Sequence, residues 1–331
     1  MSKASVGLDP SFDPIRQRYL AFAENEAKGV SPLYEELARA VAESAPLLNF
    51  IASLPAPKQQ PNLVFAAVRH LYGTPEDARH FEDLVARHPE PIRRLVLARS
   101  TQTNEPGRCA VLLPVLARLP QPLALLEVGA SAGLCLLPDL YGYDYGRKQI
   151  PPRRAAPQPA PVFPCHVDDR TPVPDQAPEI AWRAGLDLNP VDLSAPDEAS
   201  WLETLVWPGN PSRAERLRAA IAIAREDPPR VVRGDLLADL PPLAATAPAD
   251  ATLVIFHSAV LAYVTPEVRK RFAEQVKDLG AVWIANEFPR VLPDVAAKLP
   301  KPTRDDRFLL AVDADPVAVT GPHGQVVEWF G

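Results

Sequence analysis

The sequence predicts an α/β protein in which an all-helical domain precedes a doubly wound, mostly parallel sheet of seven strands with an antiparallel last strand. Three observations predict this class. The first 120 residues carry helix signals only, short apolar runs alternate with amphipathic segments from Leu123 onward, and no helical segment separates the last two apolar runs. The predicted domains are residues 1–120 and 121–331, with a proline-rich insertion at residues 151–178.

The N-terminal helices are indicated by their starts. Ser31 precedes Pro32 in "SPLYEELARAV", and Thr74 precedes Pro75 in "TPEDARHFEDLVARH". A Ser or Thr oxygen can accept from a free N–H of the first turn, and proline there has no N–H to leave unpaired. Between residues 6 and 119 we find no run of alternating or β-branched residues, so this block is predicted to be helical.

From Leu123 the alternation of apolar runs and amphipathic segments predicts a parallel sheet covered by helices. The predicted strands lie near residues 123–128, 180–186, 230–233, 252–257, 281–286, 308–313 and 326–330. Only "ADPVAVTGPHGQ" separates the last two strands, which we therefore expect to pair as an antiparallel hairpin at one edge. Nine prolines in residues 151–178 predict an extended excursion over the surface after the first helix.

Composition narrows the class of protein. The chain has 331 residues, 47% of them hydrophobic, which is enough for a substantial core, and its net charge of -6 provides no basic field for nucleic acid. No apolar run approaches the roughly 18 residues of a membrane span or forms a signal peptide at the N-terminus. The three cysteines form no C-x-x-C pair. We therefore expect a cytoplasmic protein with reduced cysteines that binds neither nucleic acid nor membrane, its oligomeric state left open.

Polar residues and glycines lie at or just after the end of each of the first five predicted strands. Ligands of open α/β sheets bind beyond the carboxyl ends of the strands, where the strand order reverses, so these residues are the site candidates. In chain order they are Glu127, Gly129, Ser131, Gly133, Asp187, Asn189, Asp235, His257, Ser258, Tyr263, Asn286 and Glu287.

The segment "LALLEVGASAGLCLL" has two interpretations. As G-x-S-x-G after a strand, it predicts a hydrolase with Ser131 as nucleophile, for which His323 and either Asp313 or Asp235 could complete the triad. As a small-residue turn between a strand and a helix, it predicts a cradle for a nucleotide-containing cofactor. The hydrolase fold needs earlier strands and an oxyanion loop, which the helical block does not provide, so the sequence favours the cofactor turn.

The motifs "LLEVGASAGL", "GLDLNP", "VVRGDLLADL", "LVIFHSAVLAY" and "VWIANEFP", in this order over the C-terminal two thirds, resemble those of class I S-adenosylmethionine-dependent methyltransferases. The resemblance implies the Rossmann-like sheet of that superfamily, S-adenosylmethionine as cofactor, and methyl transfer to a small molecule or protein. No N-P-P-Y signature for nucleobase amines follows the fourth strand. Together with "TQTNEPGRC", "WLETLVWP" and "GPHGQ", the chain also resembles a bacterial domain family described only as of unknown function.

The methyltransferase resemblance implies roles for the turn and the strand ends. Gly129 and Gly133 would let the backbone approach the cofactor, and the helix behind them would offer N–H groups to the methionine carboxylate. Glu127 is similar to the acid that orients the cofactor's amino group, and Asp187 to the acid that accepts the ribose hydroxyls. The alternatives are a solvated carboxylate and a turn-forming aspartate. The implied cofactor-binding set is Glu127, Gly129, Ser131, Gly133, Asp187, Asn189, Asp235 and Ser258, with Ser131 where the superfamily usually has glycine.

Candidate catalytic residues lie at the fourth and fifth strand ends. A neutral His257 could accept a proton from a substrate nucleophile, although a structural role is an equal alternative. Glu287 could orient a substrate or cap the following turn, and Tyr263 completes the predicted catalytic set.

The polar segment "STQTNEPGRC" is either an interhelical loop or a lid over the site, and the lid hypothesis assigns it Gln102, Asn104, Glu105 and Arg108. No metal site is predicted. A non-catalytic binding protein of methyltransferase-like fold is a third hypothesis beside the transferase and the hydrolase.

Overall fold

The computed structural model describes residues 9–102, 104–155, 158–299, 301, 303 and 306–330. The chain divides into two compact units, a helical unit within residues 1–103 and 200–214 and a sheet unit within residues 104–199 and 215–331. The domain boundary at residue 120 stays a prediction, because compactness alone does not define a domain.

The helical unit contains the first six α-helices. Ser31 caps α2, as its sequence predicts, and accepts a hydrogen bond from the Tyr34 N–H. The cap predicted at Thr74 is wrong, because α5 begins three residues later, where the Asp77 carboxylate accepts from the His80 N–H at 2.7 Å. The helices are α1 Asp13–Phe22, α2 Pro32–Glu43, α3 Ala45–Ala52, α4 Pro61–Tyr72, α5 Ala78–Arg87 and α6 Pro89–Ala98.

Aromatic rings form the centre of the helical unit. Phe65 is fully buried on α4 and packs edge-on against Tyr19 and Phe81, with ring centroids 5.9 and 5.4 Å apart. Trp207 packs against Phe22 and Tyr34 in the same unit. Burial of such rings contributes both apolar area and favourable edge-to-face geometry, so this unit has a core of its own.

In the described part of the sheet unit, nine strands form one large, mostly parallel sheet in the order β5-β12-β11-β10-β9-β8-β1-β6-β7. All seven predicted strands are present. The strands are β1 Leu123–Val128, β5 His166–Val167, β6 Ile180–Asp187, β7 Arg230–Arg233, β8 Thr252–Ser258, β9 Val282–Glu287, β10 Phe308–Val312, β11 Asp315–Thr320 and β12 Val326–Trp329.

The predicted count of seven strands is wrong, because "DPVAVT" and a two-residue segment were taken as connections. They form β11 and β5, and β11 lies between the last two predicted strands, which therefore do not pair with each other. Two tight turns join β10, β11 and β12 as an antiparallel meander, and β10 pairs antiparallel with β9. Proline at the second position of β11 and the absence of strict alternation had hidden this strand in the sequence.

The α-helix predicted directly after β1 does not form in the described chain. Residues Leu134–Leu136 and Pro138–Leu140 are single 3₁₀ turns. Pro138 lacks the N–H that would bond to Leu134 and its ring would clash with that carbonyl. Side chains satisfy the carbonyls instead, since the Tyr141 hydroxyl donates to Leu134 O at 2.9 Å and Arg183 donates to Leu136 O at 2.9 Å.

The described part of the proline-rich insertion forms strands, which the prediction of a surface excursion did not include. It contains β4 Val162–Pro164, which pairs with β2 Gly142–Asp144 in a three-stranded sheet whose third member is β3 Gln149–Ile150. It also contains β5, at the edge of the large sheet. Phe163 and Cys165 are buried, so alternate side chains of this segment join the core.

The remaining helices are α7 Cys109–Leu116, α8 Pro196–Thr204, α9 Pro211–Glu226, α10 Leu240–Ala244, α11 Pro266–Asp278 and α12 Pro293–Ala296. Thr265 caps α11 by accepting from the Val268 N–H, and Phe272 and Val276 on this helix are fully buried in the sheet unit's core. Among the described helices, each is too short or too polar to cross a membrane.

Candidate functional site

The candidate site lies where the strand order of the large sheet reverses. β1 pairs in parallel with β6 on one side and with β8 on the other. Later strands extend the sheet outward from both, β7 beside β6 and β9 beside β8. This reversal between β1 and β8 is the point at which open α/β sheets bind ligands, beyond the carboxyl ends of the strands.

The glycine turn, residues 129–133, follows β1 directly. Gly129, Ser131 and Gly133 have φ values of 71°, 54° and 73°. Asp187, at the end of β6, accepts from the Ser131 N–H through Oδ2 at 2.8 Å and from the Asn189 N–H through Oδ1 at 2.7 Å. The Asp187 carboxylate therefore holds the strained turn in place, as a turn-forming aspartate does. A ribose-binding role for it stays a prediction.

Asn104 braces the other side of the glycine turn. Its Nδ2 donates to Ala130 O at 3.1 Å, and its Oδ1 accepts from the Leu134 N–H at 2.9 Å. The nitrogen and the oxygen of the Asn104 side-chain amide thus both form hydrogen bonds with backbone groups on either side of Ser131. Sequence patterns carry no signal for this bracing role, because it depends on a contact 26 to 30 residues away along the chain.

The glycine turn also requires glycine for packing. A Cβ on Gly129 would lie 2.3 Å from Val260 Cγ2, whereas a Cβ on Gly146, at a similar φ of 73°, would meet nothing within 4 Å. We expect Gly129→Ala to lower the free energy of unfolding by about 3 kcal/mol, from left-handed strain plus overpacking, and Gly146→Ala by about 1 kcal/mol from strain alone. Urea unfolding measures both, and equal losses would contradict the clash.

Glu127, the penultimate residue of β1, is the most unusual ionisable group of the site. Its side chain is buried, and its Oε2 is sealed from solvent without a hydrogen bond from any described residue. Burial, and after it the neighbouring Cys135 thiol, raises the pKa of the Glu127 carboxyl well above its usual range, against the opposing charge of Arg108. A buried carboxyl of this kind is characteristic of functional sites.

Arg108 is buried at the same edge. Its Nε donates to Pro322 O at 2.9 Å, its Nη1 donates to Ser258 O at 3.0 Å, and its guanidinium lies 5.6 Å from the centre of the Phe308 ring. Two carbonyls from the β11–β12 turn and from the end of β8 therefore fix its orientation. Among described residues, no carboxylate forms an ion pair with Arg108.

The predicted lid residues occupy different environments. Asn104, Glu105 and Arg108 are buried in the sheet unit, whereas Gln102 is half-buried in the helical unit. Glu105 accepts from the Gly107 N–H at 3.1 Å and begins a 3₁₀ turn. The three buried residues thus belong to the wall of the candidate site, and a moving lid stays a prediction.

His257 and Glu287 form a buried pair between β8 and β9. Both side chains are fully buried. The Trp283 indole N–H donates to His257 Nε2 at 3.0 Å, so the proton of the neutral ring is on Nδ1, which donates to Glu287 Oε1 at 2.8 Å. Both ring nitrogens are therefore engaged by protein. This geometry supports the structural alternative for His257 and gives no support to its role as a general base.

Glu287 also holds the loop after β8. Its Oε1 accepts from the N–H groups of Val260 and Leu261 at 2.8 and 3.0 Å. Burial opposes ionisation, but the hydrogen bonds from His257 and from these two N–H groups together lower the pKa of Glu287 below its usual value. The carboxylate positions the loop that packs on Gly129.

Ser258, the last residue of β8, and Asn286, the penultimate residue of β9, belong to a second polar network. Asn286 donates through Nδ2 to Ser258 Oγ at 2.9 Å, and its Oδ1 accepts from Thr320 Oγ1 at 2.7 Å. The Asn286 side chain is fully buried and Ser258 is nearly so. The network connects the parallel strands to β11, the strand that the sequence did not predict.

Other predicted site residues are at the surface. Tyr263 is 83% exposed, and its role in catalysis stays a prediction. Asp235 is exposed and accepts from the N–H groups of Leu237 and Ala238 at 2.8 and 3.0 Å, which is the pattern of a turn-forming aspartate. Asn189 is exposed and accepts from Arg233 at 3.1 Å.

Ser131 lacks the partner that a serine nucleophile needs. Its buried Oγ forms no hydrogen bond with any described residue, and its N–H is bound to Asp187. A hydrolase requires a histidine within hydrogen-bond reach of this oxygen. The described residues also contain no group of three or more histidine, cysteine, aspartate or glutamate side chains placed to hold a metal.

The strand order and the polar groups at the switch point place the protein among α/β proteins with an open, mostly parallel sheet. The chain belongs to the bacterial family described as "Uncharacterized protein conserved in bacteria (DUF2332)", which matches residues 16–329. This confirms the predicted membership of a bacterial family of unknown function. No curated protein and no solved structure matches the chain.

Proposed function

We propose that the sheet unit binds S-adenosylmethionine at the carboxyl ends of β1 and β6 and transfers its methyl group to a small molecule or protein. The observation that carries the proposal is Glu127, a buried carboxyl with an unpartnered oxygen beside a glycine turn at the switch point of a parallel sheet. The order of the motifs in the sequence supports the same cofactor.

The cofactor's groups can be tested against the residues present. The ammonium of the methionine moiety is a cation with donor hydrogens, which is what the Glu127 carboxylate lacks. We assign the ribose hydroxyls to Asp187, at the end of β6, in addition to the turn that it holds. The methionine carboxylate does not fit where the motif predicts it, because no α-helix follows the turn and most N–H groups there already have acceptors.

When bound, S-adenosylmethionine supplies an electrophilic methyl group. The residues of this chain would orient the acceptor in line with it and exclude water, a task that needs little acid–base machinery. The engagement of both His257 nitrogens in the core is compatible with such a mechanism.

Isothermal titration with S-adenosylhomocysteine tests the proposal. We expect saturable binding to the full chain with a Kd of about 1 to 100 μM, in the range typical of small-molecule sites. Adenosine and adenosine triphosphate are the controls for binding through the base alone. If S-adenosylhomocysteine does not bind, the proposal is contradicted. If the cofactor binds but its methyl group is transferred to no acceptor, the non-catalytic hypothesis is favoured.

A further inference from the structure

Arg108 and Glu127 are a basic and an acidic side chain buried beside the glycine turn, and neither has an ion-pair partner among the described residues. Their exposed fractions are 8% and 4%, and they are not paired with each other, although Arg108 is close enough to counteract the rise in the Glu127 pKa. Charges taken out of water cost free energy unless they are paired. Glu127 pairs in register with Phe256 of β8, and Arg108 donates to Ser258 at the end of the same strand. A base and an acid buried at one sheet edge and not bonded to each other indicate a ligand that carries both charges.

One nitrogen of the Arg108 guanidinium has no acceptor among the described residues. Nε and Nη1 are held by the carbonyls of Pro322 and Ser258, but Nη2 donates to no described residue and is not sealed from solvent. A guanidinium edge of this kind fits a carboxylate, which accepts N–H donors through two oxygens. Glu127 complements it, because its Oε2 accepts no hydrogen bond from a described residue and a ligand ammonium supplies such donors.

The position of Arg108 is built into the fold by close backbone contact. The turn between β11 and β12 lies so near the 3₁₀ turn at residues 106–108 that a Cβ on Gly324 would be 1.9 Å from Gly107 O. This contact brings Pro322 O to the Arg108 Nε. The guanidinium is thus oriented before any ligand arrives, which reduces the entropy lost on binding.

From this geometry we infer that Arg108 is the receptor for a carboxylate and Glu127 the receptor for an ammonium, so that the site recognises an α-amino acid zwitterion. The inference rests on the proposed function, in which the zwitterion is the methionine end of the cofactor. It moves the carboxylate from the glycine turn to Arg108. The turn's own donors support this, since the N–H groups of Ser131, Gly133 and Leu134 already bind Asp187, Ala130 and Asn104.

The same zwitterion could belong to a free α-amino acid, and a ligand series separates the two sources. In titrations of the full chain we expect S-adenosylmethionine to bind about 10- to 100-fold more tightly than its decarboxylated analogue, which lacks only the carboxylate. S-Adenosylhomocysteine should likewise bind more tightly than 5′-methylthioadenosine, which lacks the whole amino acid. L-Methionine alone serves as the free amino acid.

Arg108→Gln should reduce the preference for S-adenosylmethionine over the decarboxylated analogue to about 3-fold or less, because the carboxylate loses its charged donors. Arg108→Lys keeps the charge without the planar pair of donors and should be intermediate. Arg290→Gln, an exposed arginine that also lies over a phenylalanine ring, is the matched control and should leave the preference unchanged.

The outcomes separate the inference from the proposed function. If the wild type binds S-adenosylhomocysteine and 5′-methylthioadenosine equally, or if Arg108→Gln retains the full preference, the inference is overturned while cofactor binding stands. If only L-methionine binds, and binding depends on Arg108, the inference stands and the proposed function fails. If none binds, both fail. Should Arg108→Gln not fold, the series with the wild type and Arg108→Lys decides.

Discussion

Glu127→Gln is expected to weaken binding of S-adenosylhomocysteine by about 10- to 100-fold, measured by isothermal titration at pH 7.5. Glutamine has nearly the same shape but cannot carry the charge that attracts the ligand ammonium. The loss should therefore appear in affinity and not in the fold. Glu274→Gln, an exposed change on α11 of the same kind, is the control and should bind as the wild type does.

Binding to the wild type should also release a proton. Because burial raises the pKa of Glu127, the free protein holds this proton at a higher pH than an ordinary glutamate would, and an arriving ammonium favours the ionised form. The apparent affinity should thus rise with pH until the pH exceeds the pKa of Glu127 in the free protein. Titrations in two buffers of different ionisation enthalpy measure this release, which Glu127→Gln should abolish.

The same residue should lower the stability of the empty protein. A carboxyl whose folded pKa is raised costs stability as the pH rises above its unfolded pKa, near 4.5, towards the folded value. Glu127→Gln should consequently be at least as stable as the wild type at pH 8 by thermal unfolding. A variant that binds the ligand normally, or one that loses binding only because it unfolds, would contradict the role of Glu127.

Glu287→Ala is expected to lower the free energy of unfolding by about 4 kcal/mol or more in urea, the largest stability effect that we predict. The substitution removes the acceptor for three buried donors, which are His257 Nδ1 and the N–H groups of Val260 and Leu261. Each donor left without a partner costs about 1 to 3 kcal/mol. The cavity left by the side chain adds to the loss.

The effect of Glu287 on stability should depend on pH in one direction. Its folded pKa is below the unfolded value, so its contribution is present above about pH 4.5 and is lost as the pH falls through the folded pKa. The difference between wild type and Glu287→Ala should therefore shrink in acid. Glu287→Gln, which keeps an acceptor oxygen, should be intermediate at neutral pH, and Glu274→Ala on the surface should have little effect.

This pair of variants also tests the alternative roles of His257. If Glu287→Ala and His257→Ala are strongly destabilised, the pair is part of the core that supports the loop over Gly129. If both remain as stable as the wild type but lose methyl transfer while keeping cofactor affinity, the catalytic hypothesis for His257 and Glu287 is restored.

The sequence was sufficient to predict the strands that are short apolar runs followed by turn residues, such as β1 and β8. It was not sufficient for β11, whose proline and irregular pattern resemble a connection, nor for the turn after β1, where Pro138 prevents a helix that the cofactor motif leads one to expect. These differences arise because the backbone groups form hydrogen bonds with residues from other segments: β11 with β10, and the Leu134 carbonyl with the Tyr141 hydroxyl. The local sequence does not specify these partners.

For the site, the sequence by itself determined which residues stand at the carboxyl ends of the strands, because a parallel sheet places those ends at one edge. Glu127 and Asp187 were identified in this way. Only the tertiary structure decided how the site residues are held: Asp187 binds the glycine turn, His257 lies between Trp283 and Glu287, and Arg108 is fixed by two backbone carbonyls. Burial and hydrogen-bond partners arise from contacts between distant parts of the chain. They decide whether a charged side chain is bonded within the fold or keeps donors or acceptors that a ligand could use.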